Sequence, residues 1–94
     1  MIDVGECVIV VNSGRTYSGY KGMAEKLGAS NWAEGETPEK FIKARVLSIH
    51  IPTTVKGDKI ALIEMVEGIA TGKQYVIGVT GLKRVIESRC TSLW

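Results

Sequence analysis

Long apolar runs, a surplus of one charge, histidine and cysteine are all scarce in this sequence. The longest apolar run, Val8 to Val11, is far below the roughly 20 residues that cross a bilayer. Asp3 and Glu6 interrupt any signal-peptide start. The expectation is a chain with no membrane partner, placed in the cytoplasm. Twelve Lys and Arg against ten Asp and Glu give a net charge of +2, and the cations are dispersed. There is thus no electrostatic footprint of the kind that drives non-specific duplex binding, although nucleic acid is left open as a partner. The single histidine, His50, has no cysteine near it in sequence, which argues against a metal site. Two cysteines, Cys7 and Cys90, lie near opposite ends. Without a secretory segment they read as free thiols, with Cys7 a buried small hydrophobe alternating with Ile9 and Val11.

Length and composition set the remaining bounds. A chain of 94 residues has room for one domain and buries about 60 to 70% of its unfolded surface, so stability must come from one core or from oligomerisation. Hydrophobic residues at 45% and charged residues at 23% belong to a folded globular chain, not a disordered one. There is no internal repeat and no low-complexity segment.

Five strands and one helix can be read along the chain. Asp3 to Val11 is rich in β-branched residues, apolar on both faces, and ends at Asn12-Ser13-Gly14. Tyr20, Met23, Ala24 and Leu27 then fall at i, i+3, i+4 and i+7, predicting a helix of about two turns with Gly28 as its terminator. Ser30 to Glu39 lacks periodicity and reads as a connection whose one large apolar residue is Trp32.

Phe41 to Ile51 resumes strand character with a change of phase. Ile42, Ala44 and Val46 share one parity, and Leu47, Ile49 and Ile51 share the other, which requires a bulge or bend near Val46-Leu47. A turn at Val55 to Asp58 leads to Lys59 to Val66, and turns at Glu67-Gly68 and Thr71-Gly72 lead to Gln74 to Val79, an antiparallel hairpin. Thr80-Gly81 leaves room for one turn of 3₁₀ helix before a last strand, Leu82 to Ile86. This order predicts a mainly β fold, a five-stranded SH3-like small barrel with one short α-helix after the first strand. Residues 1–87 form the domain, and 88–94 a tail ending on Leu93-Trp94 that suits an oligomer interface.

The opening stretch Val10-Val11-Asn12-Ser13-Gly14-Arg15-Thr16-Tyr17-Ser18-Gly19-Tyr20-Lys21-Gly22 carries the most distinctive chemistry. Gly14 to Lys21 has the Gly-x-x-x-x-Gly spacing of a phosphate loop but follows it with Tyr-Lys instead of Lys-Ser/Thr, and the second near miss, Gly68 to Gln74, has only three residues between its glycines. Neither wraps phosphates and holds magnesium as a nucleotide hydrolase must. No nucleophile, acid or base pair is marked out elsewhere, and His50 reads as a polar-face strand residue, so the chain is expected to be non-enzymatic.

Asn12-Ser13-Gly14-x-Thr16-Tyr17-Ser18-x-Tyr20-x-x-Met23-Ala24, with Val4-Gly5-Glu6 before it and Tyr75-Val76-Ile77-Gly78-x-x-Gly81-Leu82 at the far end, resembles small SH3-like proteins of tailed bacteriophages. The likeness runs from Val4 to about Val85. It implies the fold and a viral setting; most members of that group have no assigned activity.

The opening loop has two readings. Tyr17 and Tyr20 can stack on a base while Ser13, Arg15, Thr16 and Lys21 supply donors to phosphate oxygens and Gly14 and Gly19 let the backbone approach a ligand. Alternatively, Tyr20 is the helix's first apolar contact, Tyr17 caps the barrel and Asn12-Ser13-Gly14 is only a turn. The expected ligand-binding set is Asn12, Ser13, Arg15, Thr16, Tyr17, Tyr20 and Lys21, with no catalytic residue, metal ligand or cofactor. The expected function is sequestration of a nucleotide-type ligand, a cyclic-nucleotide signal of host immunity being one candidate, by a phage accessory protein acting as a homo-oligomer. A protein-interaction adaptor using the aromatic loop and a sheet edge, and a nucleic-acid binder, are the alternatives.

Overall fold

The computed structural model of the chain describes residues 2–53 and 57–85. Five antiparallel strands form one sheet: β1 (Cys7–Val10), β2 (Lys43–His50), β3 (Ile60–Met65), β4 (Gln74–Gly78) and β5 (Leu82–Arg84), in the order β4-β3-β2-β1-β5. A six-residue helix, α1 (Lys21–Lys26), follows β1, and 3₁₀ turns occupy Ser13–Arg15 and Val79–Gly81. The mainly β composition, the helix after the first strand and the 3₁₀ link before the last agree with the sequence reading. Each strand is shorter than its apolar pattern, because ladder pairing stops before the β-branched residues do. The start of the turn read at Val55–Asp58, the end of the last strand at Ile86, and the tail with Cys90 and Trp94 lie outside the described residues.

The phase change in β2 is a bulge. Val46 pairs with Ile63 and Ser48 with Leu62, so Leu47 is the extra residue. Ala44, Val46 and Ile49 pack with the main core, whereas Leu47 packs with Met23, Ala24, Leu62 and Val76 beneath α1. The Ser48 hydroxyl, on that same side, donates to the Leu27 carbonyl at 2.8 Å. The expectation that Leu47, Ile49 and Ile51 share one inner face is thus corrected: the bulge turns Leu47 and Ser48 to one side, returns Ile49 to the other, and leaves Ile51 exposed.

This divides the interior in two. One cluster joins Val8, Val10, Ala44, Val46, Ala61, Ile63, Met65, Tyr75, Ile77 and Leu82 on one face of the sheet. The other lies on the opposite face of β3 and β4, where Leu62 and Val76 meet α1 and its flanking loops. Strands covered on both faces read as continuous apolar runs, which is how IALIEM and QYVIG appear. Each fully buried Leu, Ile or Val is worth about 1.5–3 kcal/mol relative to exposure, so these two strands anchor the domain.

Helix α1 ends by a mechanism visible in its sequence. Gly28 takes φ +85°, its N–H donates to the Glu25 carbonyl, and the Ala29 N–H donates to the Ala24 carbonyl at 2.9 Å. Only a residue tolerant of the left-handed region closes such a cap cheaply.

The link between β4 and β5 forces curvature. In a flat five-stranded sheet the two edges stand about 19 Å apart, four spacings of about 4.8 Å. The four residue steps from Gly78 to Leu82 reach at most about 14 Å. The sheet therefore curls toward itself, while among the described residues no ladder joins β4 to β5 and the sheet is not closed.

Cys7 corrects the reading of the cysteines. It is half-buried, not buried, and it is disulfide-bonded, not a free thiol. Alternation on β1 gives the core to Val8 and Val10 and leaves Cys7 and Ile9 on the more open face.

Candidate functional site

The opening loop is fixed along the outer edge of β4 by backbone bonds. Thr16 bridges Ile77, and the Tyr17 N–H donates to the Val76 carbonyl at 2.7 Å. Further along that edge Trp32 bridges Gln74, and the Ala33 N–H donates to the Gln74 carbonyl at 2.9 Å. An edge strand whose polar groups are already met offers little to an added strand. The adaptor reading that needs a free sheet edge therefore has no support at β4.

The start of the loop is a small rigid knot. The Asn12 carboxamide caps the 3₁₀ turn, its Oδ1 accepting from the Gly14 N–H at 3.0 Å. The Val11 and Asn12 N–H groups both donate to the Gly81 carbonyl. A Cβ placed on Gly81 would stand 2.7 Å from the Asn12 carbonyl oxygen and 2.9 Å from Arg15 Cβ, so glycine is required where the two 3₁₀ turns meet. Across this contact Asp58 accepts from the Thr80 hydroxyl at 2.8 Å, and its carboxylate covers Gly78 beside the Arg15 stem.

The seven expected ligand residues divide by environment. Arg15 and Lys21 are exposed, and neither forms an ion pair among the described residues. Tyr20 is 51% exposed and Asn12 is exposed in its capping role, while Ser13 is half-buried. The Thr16 hydroxyl is buried and makes no hydrogen bond among the described residues. Tyr17 packs against the cluster under α1, and its ring meets the Tyr20 ring edge to face, centroids 6.2 Å apart at 79°. Of the face read as Tyr20, Met23, Ala24 and Leu27, the last three pack inward and Tyr20 does not. It is the residue just before α1, where the chain has not yet entered the helical turn that carries the others to the core.

Three features were not read from the sequence. Gln74 is 4% exposed, and its Oε1 accepts from the Ser30 and Asn31 N–H groups at 2.8 and 3.0 Å while its Nε2 donates to the Ser30 hydroxyl and to Glu64, each at 3.2 Å. It ties the aperiodic connection to the hairpin. The signal was a polar residue opening an otherwise apolar strand, since a buried amide demands partners. Phe41 combines φ +66° with 68% exposure, a costly backbone for a bulky residue that nothing in the local sequence announces. The third is a cleft of about 350 Å³ lined by Glu36, Thr37, Glu39, Ile69, Ala70, Lys73 and Tyr75. Its residues come from two segments about thirty positions apart, which only the fold brings together.

Comparison with protein-family models, with curated proteins and with solved structures finds no match. Among the described residues no three His, Cys, Asp or Glu side chains gather to hold a metal ion, and no helix is long and apolar enough to cross a membrane.

Proposed function

We propose that this chain is a non-enzymatic binding protein, an SH3-like barrel in architecture, that captures a nucleotide-type ligand at its opening loop. The observation that carries this reading is the exposed ring of Tyr20, braced edge-on by the packed ring of Tyr17 on a backbone pinned to β4. A fixed aromatic face stacks on a base with little ordering cost. Arg15 and Lys21, flanking the pair in sequence and free of ion pairs among the described residues, supply donors to phosphate oxygens. Tyr17 serves as the brace and Tyr20 as the stacking surface. No bond is broken, and the activity is sequestration.

The resemblance of the loop to phage SH3-like proteins makes host signalling nucleotides, cyclic ones included, the first class to test. Capture by a homo-oligomer fits the same scheme. Val4 and Ile51, each more than half exposed, line a cleft with Ile2, Ile49, Asp3 and Lys59, whose apolar part suits a subunit contact. Thermal unfolding against mono-, di- and cyclic nucleotides tests the reading. A ligand at 100 times its dissociation constant adds about 2.7 kcal/mol, or roughly 10 to 20 °C for a domain of this size. No shift with any nucleotide, from a folded protein, counts against it.

A further inference from the structure

The cleft between residues 36–39 and the β3–β4 hairpin lies apart from the opening loop, and its chemistry points to a different partner. Tyr75 is 2% exposed and lines the cleft; its hydroxyl makes no hydrogen bond with any described residue and is not among the buried unpaired atoms, so it opens to the cleft. With its ring buried and its hydroxyl open to the cleft, Tyr75 presents a positioned donor and acceptor to whatever enters and displaces water there.

The charges give the sign of that group. Lys73 is held by Glu36 at 3.2 Å, which spends the cation. Glu39 lines the same cleft with no ion pair among the described residues, so the site carries an excess of negative charge. The Tyr75 phenol registers the same field: its pKa is raised by burial first and by the Glu36 charge second, with Lys73 opposing. An anionic ligand is disfavoured here.

The apolar surroundings give the size of the partner. Ile69, at the hairpin tip, is 99% exposed and forms one wall. Phe41, 68% exposed on its left-handed backbone, lies two residues beyond Glu39, and its neighbour Ile42 approaches the hairpin at Gly68. A small amine would leave this apolar surface in water. A peptide segment covers it while its cation fills the cleft.

We propose that this cleft docks an extended segment of a partner protein through one arginine or lysine side chain. The cationic head donates to the Glu39 carboxylate and the Tyr75 hydroxyl oxygen, its methylene stem lies along Ile69 and Ala70, and flanking apolar residues of the segment cover Ile69 and Phe41. This site is independent of nucleotide capture and stands or falls separately.

The test is an NMR titration of the full chain with acetyl-Leu-Arg-Leu-amide, with acetyl-Leu-Glu-Leu-amide and acetyl-arginine-amide as comparisons. Saturable shifts at the amides of Ile69, Ala70, Lys73 and Tyr75 are expected with the arginine tripeptide and not with the glutamate one. Glu39→Gln, at an exposed position that leaves the fold intact, is expected to weaken binding about fivefold, and Ile69→Ser to weaken the tripeptide more than it weakens acetyl-arginine-amide, which loses only the stem contact. Absence of shifts, equal shifts with the glutamate tripeptide, or full affinity in Glu39→Gln overturns the proposal. Equal affinity for acetyl-arginine-amide and the tripeptide overturns the peptide assignment in favour of a small-amine site.

Discussion

Tyr17 and Tyr20 meet edge to face with centroids 6.2 Å apart, yet only Tyr20 offers about half of its surface, 51%, to solvent. The pair divides labour between packing and exposure. Tyr20→Ala is expected to abolish most nucleotide capture while moving the melting temperature by no more than a few degrees. Tyr17→Ala removes a ring packed against the cluster of Met23, Ala24, Leu62 and Val76 and is expected to cost about 1–3 kcal/mol, less than the roughly 3–5 kcal/mol of a fully buried aromatic because Tyr17 is half-buried. Denaturant unfolding of both variants beside their ligand titrations separates the roles.

Gly81 holds the opening loop against the second 3₁₀ turn. Gly81→Ala places a methyl 2.7 Å from the Asn12 carbonyl oxygen, and overpacking of this kind costs about 1–3 kcal/mol. Capture should weaken too, because the turn that carries Arg15 is displaced. Gly19→Ala, whose added Cβ would meet nothing within 4 Å, is the matched control and is expected to leave stability nearly unchanged.

Gln74 faces Glu64 directly across the hairpin, its Nε2 donating to the carboxylate at 3.2 Å. Gln74→Leu strands the Ser30 and Asn31 N–H groups and is expected to cost about 1–3 kcal/mol for each that stays dry. Gln74→Glu keeps an acceptor but sets two carboxylates together, which raises the pKa of the pair in the folded state. A raised folded value means stability present at low pH and lost as pH rises through it. The Gln74→Glu variant should therefore fall further behind the parent protein on going from acid to neutral pH, as chemical denaturation at several pH values would register.

Among the described residues, Tyr75 is the titratable group with a distinct environment. Burial and Glu36 raise its pKa above the ordinary 10.0. Because the folded value exceeds the unfolded one, its contribution to stability holds below about pH 10 and is lost as pH rises through the raised value. Tyr75→Phe should remove a phenolate absorbance step above the ordinary range and flatten the alkaline loss of stability.

The elements with strong local patterns were legible in the sequence: the Met23-Ala24-Leu27 face, the Gly28 cap, the phase break in β2 and the one-turn link at Val79–Gly81. Each is set by neighbours within a few residues. Tyr20 followed the helical spacing but precedes the helix, and Leu47 followed the strand parity but sits in the bulge, so in both cases an element boundary overrode the period. The anchoring of the loop on β4, the Gln74 hub and the Tyr75 cleft join segments more than twenty positions apart, which no local pattern encodes. The pairing of Cys7 was not legible either, because the spacing of cysteines along the chain carries no information on their distance in the fold.

The most direct test of nucleotide capture is calorimetric titration of the parent protein and of Tyr20→Ala and Arg15→Ala with the nucleotide that gives the largest thermal shift. Saturable binding by the parent, with affinity lowered about tenfold or more in each variant and with both variants folded, is the expected result. Unchanged affinity in both folded variants would remove the opening loop from the binding site and contradict the central claim.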